Sequence, residues 1–294
     1  MRIYDPRLGR FLSVDPIANQ YPNLTPYQFA SNTPIKAIDQ DGLEAFFVHG
    51  TASSSDERWT KVRNADNTAK EYYENVAAIM KLTNNKSIKA DFEWRNGSLM
   101  GGLIPNMFNN QKDRASAATQ LANYVLDNLN GEVVTLIDHS HGGNVAIQAA
   151  TIIREALDQS ESRKHIKINL ITIATPAYNG SNDPENPANA LANGVINDHL
   201  HIYNNLDEVQ VDLANLAGAK TAERSYNNGN TRNVNLNVDR FYKKLTQVPV
   251  ERNGKQVGQY KYKVDGKGAH SFDFQHPEVI EDAVKSGQLK KPNQ

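Results

Sequence analysis

Beyond residue 43 the apolar positions follow two rhythms, and the switches between them divide the chain into elements. Short continuous apolar runs, Ala45-Phe46-Phe47-Val48, Val133-Val134-Thr135-Leu136-Ile137 and the stretch 166–174, read as buried strands. Residues 199–203 make a further strand, and 88–94 alternate as a strand exposed on one face would. Between these runs apolar residues return every three or four positions. Tyr72, Val76, Ile79 and Met80 do so within 67–82, and Ala117, Leu121, Val125 and Leu129 within 114–129, which Asn130-Gly131 ends. Val145, Ala146, Ala149 and Ile152 mark a helix over 142–157, and Pro277 opens a last one over 277–286. Residues 246–264 read as a hairpin around Arg252-Asn253-Gly254, whereas 213–240, rich in Asn and Gly, show no period that assigns them. Strands alternating with helices predict βαβ units, hence an α/β fold with a mostly parallel central sheet flanked by helices.

Residues 1–43 differ. Five of the 12 prolines, at positions 6, 16, 22, 26 and 34, separate pieces such as Phe11-Leu12-Ser13-Val14, Tyr27-Gln28-Phe29 and Ile35-Lys36-Ala37-Ile38. Proline lacks the amide that a helix interior needs, so this is irregular turn and short-strand material. It is too small to bury a core alone. The string Tyr4-Asp5-Pro6-Arg7-Leu8-Gly9-Arg10-Phe11-Leu12-Ser13-Val14-Asp15-Pro16, then Asn32-Thr33-Pro34, then Asp39-Gln40-Asp41-Gly42-Leu43, resembles the close of an Rhs-repeat core. The resemblance implies that 1–43 is the tail of a β-cocoon and that 44–294 is the variable toxin behind it. It implies an aspartyl-type self-cleavage between Leu43 and Glu44, with Asp39 and Asp41 the nearby carboxylates. Gln40 stands where that family has proline. Met1 would then be an excision point. The resemblance further implies synthesis in the producer cytoplasm and delivery into a target cell by a contact-dependent machine such as type VI secretion. The Rhs core and the secretion machinery would be partners, and a cognate immunity protein would protect the producer.

Composition narrows the function classes. With 32 basic and 33 acidic residues the net charge is −1, so no general pull toward nucleic acid or anionic lipid exists. No apolar run reaches the roughly 20 residues of a transmembrane segment, and the first residues carry no signal-peptide core. Without cysteine there are no disulfides, thiolate zinc sites or thiol nucleophiles. Such a chain suits passage between redox environments.

The sharpest chemical signal is Asp138-His139-Ser140-His141-Gly142-Gly143, placed directly between a buried strand and an amphipathic helix. A nucleophile elbow needs that context: a tight strand-to-helix turn lifts the serine above the sheet, and the helix N-terminus favours developing negative charge. Gly142 leaves room for neighbouring backbone. The blander reading is a serine N-cap. Here the chain resembles the lipases and esterases of the α/β-hydrolase family, with Asp138 where the Gly-x-Ser-x-Gly elbow has its first glycine. Phe46-Phe47-Val48-His49-Gly50-Thr51, a strand ending in His-Gly upstream of the elbow, resembles the family's oxyanion loop, with the amides of Thr51 and His141 as donors.

A serine nucleophile needs a base, and the base an orienting carboxylate, in the chain order serine, acid, histidine. Asp207 follows the strand 199–203 through Asn204-Asn205-Leu206, with Glu208 and Asp212 as rivals. Of the two histidines beyond it, His270 ends the loop Asp265-Gly266-Lys267-Gly268-Ala269 and is preferred as base, while His276, ahead of Pro277, is the alternative. His139-x-His141 and His199-x-His201 have metal-ligand spacing, but the first pair flanks a turn, so no metal or other cofactor is expected. Glycines and apolar residues over 96–108 suit a lid or a connection folded on the core, and Trp94 beside them suits the core. The expected activity is serine ester hydrolysis, with membrane lipid as substrate by the Rhs analogy. A thioesterase, a peptidase, or an inert binding module on the same scaffold remain open.

Overall fold

The computed structural model describes residues 4–5, 10–14, 43–51, 53–65, 69–83, 85, 87–94, 110–213, 221–252 and 255–292. The chain divides into two compact units, Met1–Asp41 and Gly42–Gln294. Of the first, a short antiparallel pair is described, Tyr4–Asp5 with Arg10–Phe11. Asp39, Asp41 and the glycine-rich stretch 96–108 lie outside the described residues.

The second unit is built on a six-stranded parallel sheet. Its strands are β1 (Leu43–Val48), β2 (Ser87–Lys89), β3 (Val133–His139), β4 (Lys167–Ile173), β5 (Asp198–Tyr203) and β6 (Arg232–Asn235), in the order β6-β5-β4-β3-β1-β2. The principal helices are α1 (Glu74–Thr83), α2 (Gln111–Asn128), α3 (His141–Asp158) and α4 (Glu278–Lys285). Successive side chains of a strand leave by opposite faces, so each buried strand feeds two cores. Phe46, Val48, Val134, Leu136, Ile168 and Leu170 pack against Leu121 and Val125 of α2 and Val145 and Ile153 of α3. Ala45, Phe47, Ile137, Ile171 and Leu200 pack against Val76 and Ile79 of α1 and Ile280 of α4. This three-layer arrangement is an α/β-hydrolase fold.

The strand order locates the site. From β1 the chain goes outward to the edge strand β2, returns past β1 to β3, and then steps outward the other way through β4, β5 and β6. Connections therefore diverge between β1 and β3, and the crevice at the carboxyl ends of such strands is where open α/β sheets bind ligands. His49-Gly50 leaves β1 at that crevice, and Ser140 leaves β3.

Two expectations are corrected. The helix expected over 67–82 begins only at Glu74, because Ala69–Tyr72 pairs with Thr60–Arg63 as a hairpin. The strand expected over 88–94 stops at Lys89. Past that point the backbone serves the site loop: the Phe92 carbonyl accepts the Ser55 hydroxyl at 2.7 Å, and the Trp94 amide donates to His49 Nε2 at 3.3 Å. Within 213–240, β6 and a short helix Asp239–Tyr242 form where no period was legible. The expected hairpin is Lys243–Arg252 paired with Lys255–Val264.

Candidate active site

Ser140 has φ 56° and ψ −136°, a left-handed conformation that an L side chain adopts only under constraint. The constraint comes from both sides. Its amide donates to the Ile173 carbonyl of β4 at 2.9 Å, and its carbonyl accepts the Gly143 amide at 3.0 Å, closing the first turn of α3. The Ser140 side chain makes no capping hydrogen bond, so the N-cap reading fails. Two glycines let the neighbouring backbones close in. A Cβ on Gly142 would stand 2.5 Å from the His49 carbonyl oxygen, and one on Gly50 would stand 2.8 Å from Ser140 Cβ. Any side chain at either position would push the end of β1 off the elbow.

That end of β1 carries Thr51, whose hydroxyl lies 3.2 Å from His141 Nδ1 across the crevice. Burial, with Arg114 and His270 near, pushes the His141 imidazole well below its ordinary pKa, so it is neutral near pH 7. Trp94 is buried against the same loop: its indole N–H donates to the His49 carbonyl at 2.9 Å, and its ring stacks on the His49 ring. His49 Nδ1–H donates to the Gly50 carbonyl at 2.9 Å.

Asp207 and His270 meet although 63 residues apart, His270 Nδ1–H donating to Asp207 Oδ2 at 2.8 Å. Asp207 is fully buried, and its other oxygen accepts the Gln210 amide at 3.0 Å. A carboxylate holding Nδ1–H leaves the lone pair on Nε2, the tautomer a general base requires. Glu208 lies instead against Gly266, and Asp212 donates its amide to the Glu208 carbonyl within a helical turn, Val209–Leu213. His276 is elsewhere, stacked on Phe241 and 3.3 Å from Glu278. His139, beside the serine, joins the two halves: its Nε2–H donates to the His270 carbonyl at 2.9 Å, with the rings 4.7 Å apart. No hydrogen bond joins Ser140 Oγ to His270 in this structure; such contacts tighten when substrate binds.

Several supports of this arrangement have no local sequence signal. Arg224 donates from Nε and Nη2 to the Asp207 carbonyl at 3.2 and 2.9 Å. Gln210 Nε2 donates to the carbonyls of Thr175 and Arg224 at 2.7 and 2.9 Å. Asp273, buried and ion-paired with Arg58, has its Oδ1 3.9 Å from His139 Nε2. The pair His199 and His201 is part of the same scaffold. His201 Nε2–H donates to the Arg224 carbonyl at 2.9 Å, so its Nδ1 accepts the Thr172 hydroxyl at 2.7 Å. That hydroxyl oxygen accepts His199 Nε2–H at 2.9 Å, and His199 Nδ1 accepts the Thr231 hydroxyl at 3.0 Å. Every proton is used once, with both rings neutral. Burial accordingly lowers His201 to about 4 and His199 well below its ordinary value. Among the described residues no group of three metal-binding side chains gathers.

Asp138, the departure from the elbow pattern, is buried without an ion-pair partner. Oδ1 lies 3.5 Å from the Thr175 hydroxyl and Oδ2 has no partner. Burial raises its pKa well above the ordinary value, which favours the neutral acid beside Ser140.

No family model matches the chain. A stretch of 41 residues, 14% of this chain, is 49% identical to salivary gland surface protein 1 of Aedes aegypti and covers 1% of that protein's length. Among solved structures, a lipase-esterase related protein of Clostridium acetobutylicum superposes with a TM-score of 0.42 at 9% identity, covering 84% of this chain and 94% of that one. An esterase of Pyrobaculum calidifontis gives 0.35 at 14% identity, covering 85% and 78%. These neighbours are esterases or related to lipases. Superpositions this loose add nothing to the strand order and the elbow, which define the fold without them.

Proposed function

We propose that the chain is a serine ester hydrolase with Ser140 as nucleophile, His270 as base and then acid, and Asp207 as orienting carboxylate. The observation that carries the reading is the strained Ser140 at the divergence of β1 and β3, with a His270 bonded through Nδ1 to a buried Asp207 at the same carboxyl end of the sheet. Ser140 Oγ attacks the acyl carbon while His270 Nε2 takes its proton. Asp207 stabilises the imidazolium that forms. The backbone amides of Thr51 and His141 receive the oxyanion, each such donor being worth about 3 kcal/mol. His270 then protonates the departing alkoxide, and water, deprotonated by the same ring, releases the acid. No cofactor enters these steps.

The substrate we propose is membrane lipid, hydrolysed as the work of a toxin carried behind an Rhs core and delivered into a target cell, with an immunity protein protecting the producer. This part is supported by the string from Tyr4 to Leu43 and not by the site residues. The bond proposed for self-cleavage joins Leu43 to Glu44, both of which pair with β3. A cut there has to precede the closing of β1 into the sheet. Turnover of a short-chain ester, a thioester, a phospholipid and a peptide, each with Ser140→Ala as control, tests the reading. Phospholipid and ester turnover that vanishes with Ser140 supports it. Turnover of the peptide or thioester alone replaces the substrate class, and none at all leaves an inert module.

A further inference from the structure

The chain is nearly neutral, yet its basic residues are unevenly placed. The hairpin formed by Lys243–Arg252 and Lys255–Val264 carries six basic residues and one acidic residue, so the rest of the chain is net acidic. The register at its base sorts the side chains. Lys244 pairs with Lys263 and Thr246 with Lys261 on one face, while Leu245 pairs with Tyr262, and Val264 follows, on the other. Leu245 is 58% exposed, Tyr262 69% and Val264 38%, and Lys244, Lys261 and Lys263 are exposed as well. In a two-stranded ribbon pairing satisfies only the inner edges, and large apolar side chains left in water mark a contact surface.

We propose that this hairpin docks the protein on an anionic lipid bilayer through the face of Leu245, Tyr262 and Val264, with the long lysine side chains of the other face reaching round the narrow ribbon to the headgroups. Charge selects that occupant. A second copy of the chain seated here would bring together two hairpins of the same strongly basic charge, which repel. An anionic surface attracts each Lys near it, and an aromatic residue beside Lys is suited to the interface. The base of the hairpin is also hydrogen-bonded into the turn that carries His270. At its base the Asp265 amide donates to the Tyr242 carbonyl at 2.9 Å, and the Asp265 carboxylate accepts the Gly268 amide at 2.9 Å, in the turn that presents His270. Val264 is six residues from His270. Docking therefore holds the base-bearing loop at the surface where the proposed lipid substrate lies. This inference deepens the lipid reading and depends on it for its purpose, but not for its measurement.

The test is co-sedimentation of the full chain as Ser140→Ala, so that lipid is not consumed, with vesicles of phosphatidylcholine alone or mixed with phosphatidylglycerol, at low and high salt. Binding should require phosphatidylglycerol and weaken with salt. The triple variant Lys244→Gln/Lys261→Gln/Lys263→Gln should lose about tenfold or more in partitioning. Leu245→Ser/Tyr262→Ser should lose binding even at low salt. Both hairpin variants, in the Ser140 background, should keep their melting temperature and their turnover of a soluble short-chain ester. Equal binding to both vesicles, or undiminished binding by the triple variant, overturns the proposal. So does a dimer of the parent chain that the triple variant dissolves, which would give the hairpin to a second copy. Ester turnover without vesicle binding rejects the docking surface and keeps the hydrolase. Binding without any turnover does the reverse.

Discussion

The two halves of the site are built in opposite ways. The half that holds the proposed nucleophile is one contiguous segment, 138–143, in which strand, turn and helix leave Ser140 a single strained conformation. The half that holds the proposed acid and base is assembled from separate segments: the turn after β5 that holds Asp207, Arg224 from a later loop, and the turn Gly268–Ser271 that holds His270. Backbone geometry fixes the first, and buried side-chain hydrogen bonds fix the second. The two His-x-His pairs divide likewise. His139 and His141, either side of a turn, reach different partners, whereas His199 and His201, on one strand, share the hydroxyl of Thr172. The same spacing therefore serves opposite ends, since a strand keeps alternate residues on one face and a turn does not.

The largest effect should be common to both halves. Ser140→Ala and His270→Ala should each lower kcat for a soluble ester by about 10³-fold or more, because members of a triad act as a unit. Ser140→Ala should leave the melting temperature unchanged, and His276→Ala should leave kcat within about twofold. If His276→Ala proves the more damaging, the base is misassigned.

Acid should act next, through the buried imidazoles of both halves. His201 is held near 4 in the folded chain against an ordinary 6.5, so the unfolded chain binds more protons in that window and stability falls as pH falls from 6.5 to 4. For His201 alone the loss approaches about 3 kcal/mol, and His199 adds to it in the same direction. Urea unfolding across the window checks this, and a flat profile would contradict the neutral-ring network. A smaller effect is expected at the elbow. Gly142→Ala has to move the His49 carbonyl, which overpacking of this kind costs about 2 kcal/mol, with kcat falling alongside stability. Asp138 should respond to pH in the opposite sense. Its folded pKa is raised, so the stability it contributes is present at low pH and is lost as pH rises above the ordinary carboxylate value. Asp138→Asn should therefore gain stability over the wild type as pH rises, measured by melting temperature at a series of pH values.

The contrast also explains what could be read before folding. Ser140, the strand before it, the helix after it and the His49-Gly50 strand end were legible because each is specified by neighbours within a few residues. The fold class followed, since apolar runs and helical spacing are local too. Asp207 and His270 could be named only by chain order, and nothing in the residues around Gln210 or Arg224 announces that these two side chains hold Asp207 in place. The helix start at Glu74 was obscured because Tyr72 has the right spacing for α1 while its backbone belongs to the hairpin before it. β6 was missed because its alternation, Asn233 and Asn235 against Arg232 and Val234, carries a single apolar residue.

Peptide mapping by mass spectrometry after reaction with a fluorophosphonate tests the central claim most directly, since that reagent phosphonylates only an activated serine. The account predicts a single adduct, on Ser140, formed by the wild-type chain, slowed severely in His270→Ala and absent from Ser140→Ala. A folded chain that takes no label, or takes it on another serine, would contradict it.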